Sequence, residues 1–355
     1  MFTRTSIKAH SERRRWGVIT TIVVAGLIGL TACGEGPEAD TASGDAVQTT
    51  PATAVPTAPP RTVPPTAPPT TAAAPSSSTP PATTTPPVVT SEPARVQRPT
   101  EPVDGKFGPE GSRVHVQCAG QGDTTVVLIA GFEAGSDSWV TIQPQLSQVA
   151  RVCSYDRPGT GTSDPPASNQ TFLSQAEELH ELLAKLGEPG PYVLVGHSFG
   201  GAEAATFASR FVDDVAAVVL VDASPVAWPA AICAVSDDGS AAAATVRGLC
   251  QSWSDPMGNV EHLDVFTAFD QASTIGSLGS LPMTVITAVD RSMPDGLAPD
   301  ELARLTAAWD AGQVGWQQLS ANARLVSVPN TSHQIQVDHP ELVFDEIVRL
   351  LPDHH

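Results

Sequence analysis

From residue 113 to residue 328 the chain alternates short apolar runs with longer segments whose apolar positions recur at helical spacing. Seven runs read as strands, at 113–118, 125–130, 151–155, 192–195, 217–221, 283–288 and 324–328. Val126-Val127-Leu128-Ile129 and Val218-Val219-Leu220-Val221 are apolar on successive positions, the mark of strands covered on both faces. Between them, residues 171–186 carry Phe172, Ala176, Leu179, Leu182, Leu183 and Leu186 on one helical face and Glu177, Glu178, Glu181 and Lys185 on the other. Residues 299–319 and 340–351 read as further helices, the last with Pro340 in its first turn. Strands alternating with helices predict an α/β fold: a mostly parallel sheet with helices on both faces.

The pattern is absent before residue 104, and composition explains why. Arg4, Lys8 and Arg13-Arg14-Arg15 precede an apolar run from Trp16 to Leu30, at the short end for a spanning helix and followed by Leu30-Thr31-Ala32-Cys33. This resembles a bacterial lipoprotein signal, with residues 1–32 removed and Cys33 lipidated. Residues 33–103 are dominated by Thr, Pro, Ala and Ser and cannot bury enough apolar surface to offset their ordering entropy. They read as a disordered, semi-extended tether. The expected layout is therefore a signal peptide, a tether and one catalytic domain at 104–355, lipid-anchored at the outer face of the cytoplasmic membrane.

A net charge of −19 argues against a nucleic-acid surface. Beyond Cys33 four cysteines remain, an even number that in an exported chain implies disulfides. Cys118 and Cys153 fall on two early strands, and Cys233 and Cys250 fall within one later insertion, which favours pairing inside each set.

The chemistry is concentrated at Gly196-His197-Ser198-Phe199-Gly200, between the strand at 192–195 and an Ala-rich helical segment. A serine hydroxyl is a weak nucleophile and has to be presented on a sharp turn where a base and hydrogen-bond donors converge. His197 inside the motif reads as a packing or hydrogen-bonding residue. His333, on the loop after the strand at 324–328, is the candidate base; His339, beside Pro340, reads as a helix-end residue. No His-Glu-x-x-His spacing and no Gly-Lys-Ser/Thr loop occurs, so neither a metal nor a nucleotide cofactor is expected.

With these residues, Leu128-Ile129-Ala130-Gly131-Phe132 and Tyr155-Asp156-Arg157-Pro158-Gly159-Thr160-Gly161-Thr162-Ser163-Asp164, the domain resembles the α/β-hydrolase superfamily. The resemblance implies an oxyanion hole from the backbone N–H groups of Phe132 and Phe199, and a neighbouring pair of strands carrying Cys118 and Cys153. It also implies a lid at about 224–281, with Trp228, Trp253, Met257, Phe266 and Phe269 offering an apolar inner surface or a small core. For the acid, Asp290 after the strand at 283–288 matches the usual position, although Thr287 stands where Gly is usual; Asp222 after the strand at 217–221 is the alternative. The function implied is cleavage of a small-molecule or lipid ester through an acyl-enzyme, with thioester or amide cleavage and simple ligand binding as alternatives. A serine rather than an aspartate nucleophile argues against the epoxide-hydrolase and dehalogenase branches.

Overall fold

Eight strands form one sheet in the order β1-β2-β4-β3-β5-β6-β7-β8. The computed structural model describes residues 98–291 and 293–352. The expected signal peptide, the lipidated Cys33 and nearly all of the tether lie outside the described residues. The strands are β1 (Val103–Phe107), β2 (Val114–Ala119), β3 (Thr125–Ile129), β4 (Arg151–Tyr155), β5 (Tyr192–His197), β6 (Val215–Val221), β7 (Met283–Ala288) and β8 (Ala323–Val328). β1, β2 and β4 pair antiparallel, and every other neighbouring pair is parallel.

The apolar runs are buried on both faces because successive side chains go to opposite sides of the sheet. Val127, Ile129, Leu194, Val218 and Leu220 join one core cluster with α2 (Phe172–Lys185) and α3 (Phe199–Arg210). Val126, Leu128, Val193, Val195 and Val219 join the other, with α1 (Gln143–Leu146) and, at the far end of the chain, α8 (Ile335–Asp338) and α9 (Pro340–Val348). α2 starts where the pattern places it: Thr171 and Ser174 cap each other reciprocally.

Two expectations need correction at the start of the domain. β1 has no counterpart among the seven predicted strands, because it is a half-exposed edge strand interrupted by Gly105 and carries little apolar signal. The packed structure also begins upstream of residue 104. Arg98 donates from Nε to the Asp123 carbonyl (2.8 Å), from Nη1 to Thr125 Oγ1 (2.9 Å) and to the Pro189 carbonyl, and from Nη2 to the Gly190 carbonyl (3.1 Å). A composition boundary does not register one long side chain that docks.

Between β6 and β7 the chain builds a cap from α4 (Trp228–Cys233), α5 (Ala241–Ser254) and α6 (Val265–Ser273), followed after β7 by α7 (Pro299–Gln317). Cys233 and Cys250 form a disulfide joining α4 to α5, with Cα atoms 5.8 Å apart. Cys118 and Cys153 form the other; they stand directly opposite in the β2–β4 pair, Cα atoms 4.1 Å apart. Of the aromatic and Met residues expected to face inward, Phe269 packs on Phe172 and Phe199, both with ring centroids at 4.9 Å. Met257 and Phe266 instead face outward, 65% and 38% exposed. Met257 lies on the short turn Pro256–Gly258 and Phe266 in the first turn of α6, each on a side turned away from the core, a direction that composition does not encode.

Candidate active site

Ser198 sits between the end of β5 and the first residue of α3 with φ 54° and ψ −122°, a left-handed backbone that a non-glycine residue adopts only when its surroundings enforce it. The glycines of the motif are steric requirements. A Cβ on Gly200 would lie 2.2 Å from the Ala130 carbonyl oxygen, and one on Gly196 would lie 2.2 Å from the Gly200 carbonyl oxygen. β5 therefore turns into α3 with backbone against backbone, which lifts Ser198 to the carboxyl edge of the sheet.

The loop after β8 brings His333 to it. The Ser198 hydroxyl donates to His333 Nε2 over 2.9 Å, and His333 Nδ1–H donates to Asp222 Oδ2 over 2.7 Å. His197 Nε2–H donates to the His333 carbonyl over 2.9 Å, fixing the loop from below. Burial, together with the nearby His333, pulls His197 down to about 3, so its ring stays neutral and serves as a support. Ser224 Oγ lies 3.2 Å from Ser198 Oγ, at the start of the cap.

The acid beside the imidazole is Asp222, not Asp290. Asp222 is fully buried, and its Oδ1 accepts from Thr287 Oγ1 (3.1 Å), the Ala288 N–H (3.2 Å) and Trp309 Nε1 (3.1 Å). Arg291 Nε stands 3.5 Å from its Oδ2. Burial pushes this carboxyl up, but the His333 hydrogen bond, the His333 and Arg291 charges and the Trp309 donor outweigh it and hold it below the usual carboxylate range. Asp290 is exposed and accepts the Asn330 N–H over 2.8 Å, shaping the turn that leads to His333. β6 and β7 are neighbours, so both acids emerge at the same edge; the backbone at Asp222, with φ 41°, is what carries its side chain under the imidazole. Thr287, which departs from the usual Gly, is itself a donor to the acid.

The cavity above Ser198 has a volume of about 320 Å³ and sits at the small end of ligand sites. Phe132, Phe199, Trp228, Trp253, Met293 and Trp309 line it. Arg291, the one Arg or Lys among the described lining residues, is committed elsewhere: to Asp310 over 2.9 Å, to Thr287 Oγ1 over 2.9 Å and to the Ala288 carbonyl.

A family model described as the alpha/beta hydrolase fold matches residues 124–237, from β3 through the turn at Ser198 into the cap. The chain has the α/β-hydrolase fold. The chain is 33% identical over 143 residues to an uncharacterized protein of Schizosaccharomyces pombe, covering 32% of this chain and 27% of that protein. It is 32% identical over 140 residues to the dihydrolipoyllysine-residue acetyltransferase component of an acetoin cleaving system from Cupriavidus necator, covering 39% of this chain and 37% of that one. The chain thus spans well under half the length of either relative. A solved structure of a probable hydrolytic enzyme from Pseudomonas aeruginosa superposes with a TM-score of 0.50 at 19% identity, covering 72% of this chain and 95% of that one; at this identity the likeness concerns the fold.

Sequence reasoning passed over a buried polar group beneath the loop that follows β3. Arg157, Glu203 and Glu261 are each at most 3% exposed, and Tyr155 donates its hydroxyl to Glu203. Arg157 was visible only as part of the Asp-Arg-Pro-Gly loop. Glu203 could have been found as a lone carboxylate on the buried face of the Ala-rich α3. Nothing in the local sequence marks Glu261.

Proposed function

We propose that this protein is a serine hydrolase of carboxylic esters, in which Ser198 attacks the acyl carbon, His333 accepts and returns the proton, and Asp222 orients the imidazole. The observation that carries the reading is the unbroken line of hydrogen bonds from Ser198 Oγ through both nitrogens of His333 to a buried carboxylate. In that arrangement the Ser198 proton has an acceptor in place, and the imidazolium that forms on attack faces a negative charge. The N–H of Phe199, first in α3, has no acceptor within its own helix, and with the N–H of Phe132 it would receive the negative oxygen of the tetrahedral intermediate. An apolar, aromatic cavity with no uncommitted charge in its wall favours an uncharged ester with a short or medium acyl group.

Cleavage before Cys33, lipid attachment there and display outside the cytoplasmic membrane complete the proposal. Two disulfides in the catalytic domain support an oxidising compartment. Covalent labelling by a fluorophosphonate, together with turnover of aryl esters of increasing chain length, tests the reading. Wild-type protein should label and turn over, and Ser198→Ala should do neither while keeping its circular dichroism. Undiminished turnover in that variant would remove Ser198 from the mechanism. Acylated peptide beginning at Cys33 in the mature protein tests the anchor, and an intact N-terminus in membranes would overturn it.

A further inference from the structure

We infer that Glu261, carried by the cap, is a positioning residue for the oxyanion donor of Phe132, acting through Arg157, so that a seated cap is a condition of catalysis. This rests on the hydrolase reading above and names a control on the same site. The chain of contacts is short. Glu261 lies between the turn at Pro256–Gly258 and α6, with its side chain 1% exposed. Its Oε2 accepts from Arg157 Nε over 2.7 Å and from Gln175 Nε2 over 3.3 Å; its Oε1 accepts from Arg157 Nη2 over 3.1 Å and from the Glu133 N–H over 2.5 Å. Arg157 spends its remaining donors on the carbonyls of Ala130, over 2.7 Å, and of Gly131, and on Glu203 Oε2 over 3.4 Å.

The Gly131 contact matters because of peptide geometry. The Gly131 carbonyl and the Phe132 N–H belong to one planar, trans peptide unit and point in opposite directions. Pulling the carbonyl toward Arg157 aims the N–H away from it, which is how an oxyanion donor facing the cavity has to be held. The next peptide is held as well, since Glu261 itself accepts the Glu133 N–H. A cap carboxylate thus grips the donor loop at two successive peptide units, once directly and once through the guanidinium.

The strain in the backbone is located where this grip requires it. Glu133 (φ 56°) and His262 (φ 46°), one on each side of the contact, are non-glycine residues in the left-handed region. Such residues persist where the surroundings over-determine them. The cap is also stitched down beside them: Gln170 N–H donates to the His262 carbonyl over 2.8 Å, Asp264 N–H donates to the Gln170 carbonyl over 2.9 Å, and Val260 N–H donates to Glu133 Oε1 over 3.4 Å. A Cβ on Gly159 would come within 1.9 Å of the Val260 carbonyl oxygen, so the Asp156–Asp164 loop and the cap meet backbone to backbone. Lifting the cap would draw Glu261 off Arg157 and off the Glu133 N–H, leaving the Gly131 carbonyl to the Ala134 N–H (3.2 Å) and to a guanidinium without its main anchor, so that the Phe132 N–H is aimed less strictly.

The test is Glu261→Gln, which keeps the shape of the side chain and removes its charge. Losing a whole oxyanion donor costs about 10²- to 10³-fold in kcat, so a misaimed one should cost about 10- to 100-fold, with KM changed less than about threefold. Affinity for a trifluoromethyl ketone, which forms a tetrahedral adduct with serine, should fall by the same factor as kcat/KM, while affinity for the alcohol product stays within about twofold. Glu261→Asp, with the charge kept and the reach shortened, should show the same pattern and serves if the Gln variant does not fold. Either folded variant with kcat and ketone affinity within about twofold of wild type overturns the inference while leaving the hydrolase reading standing. Equal losses for ketone and product overturn it too, since they indicate a collapsed pocket. A wild-type protein inert to esters and fluorophosphonate would overturn both.

Discussion

Replacing Asp222 by Asn tests the hydrogen-bond geometry of the site most directly. Three donors, Thr287 Oγ1, the Ala288 N–H and Trp309 Nε1, converge on Asp222 Oδ1 at 3.1–3.2 Å. An Asn at this position has to keep its carbonyl oxygen there, because its amide cannot face three donors. The NH2 group is then directed at His333 Nδ1, now 2.7 Å from the carboxylate. An N–H donated to Nδ1 makes that nitrogen an acceptor and leaves the ring proton on Nε2, the nitrogen that must accept from Ser198. The variant therefore holds the imidazole in the wrong tautomer. The expected loss in kcat is about 10⁴-fold, which corresponds to about 5 kcal/mol of transition-state stabilisation. The assay is steady-state hydrolysis of an aryl ester near neutral pH, with circular dichroism and gel filtration on the same preparation. KM should stay within about threefold, because Asp222 does not line the cavity. Asp290→Asn, which perturbs only the Asn330 contact, should lose less than about threefold in kcat. A folded Asp222→Asn variant within about tenfold of wild type, or an Asp290→Asn variant that loses as much, would refute the assignment.

Other consequences are open to measurement. His333→Ala should abolish turnover and phosphonylation of Ser198, whereas His339→Ala, whose ring only reaches the Asn330 carbonyl at 3.3 Å, should be nearly silent; the opposite pattern would move the base. Burial pushes the Glu203 carboxyl from its ordinary 4.5 up to about 7, with Arg157 and the Tyr155 hydrogen bond opposing and the Glu261 charge adding to the rise. A raised folded value means that between these two pH values the unfolded chain has lost a proton that the folded chain keeps, so this group's contribution to stability falls as pH rises through that window and levels off above it. The effect is on the order of 3 kcal/mol; the melting temperature of Glu203→Gln minus that of wild type should increase from pH 5 to pH 8, and parallel curves would count against it. Paired Ser substitutions at Cys233 and Cys250, which close a separation of 17 residues, should cost about 3 kcal/mol and expose the cap to proteolysis; cleavage confined to other segments would deny it a role in stiffening the cap.

How much of this was legible in the sequence follows from the range of the interactions involved. Period-two and period-3.6 patterns are local, so seven of the strands and the helices α2, α7 and α9 could be placed within a few residues, and Gly196 to Gly200 marked the sharp turn that presents Ser198 because its steric demands are met by near neighbours. The loop after β8 nominated His333 by the same local logic. The acid is a different kind of quantity. Asp222 and Asp290 each follow a strand, the strands are adjacent, and both side chains reach the same edge; only the left-handed turn at Asp222 and the donors arriving from Thr287 and from Trp309, on α7, select between them. Glu261 lay further still from any local signal, 104 positions from the Arg157 it grips. A buried carboxylate and its counter-ion are paired by where the cap descends on the sheet, and that is decided by packing over the whole domain rather than by any stretch of its sequence.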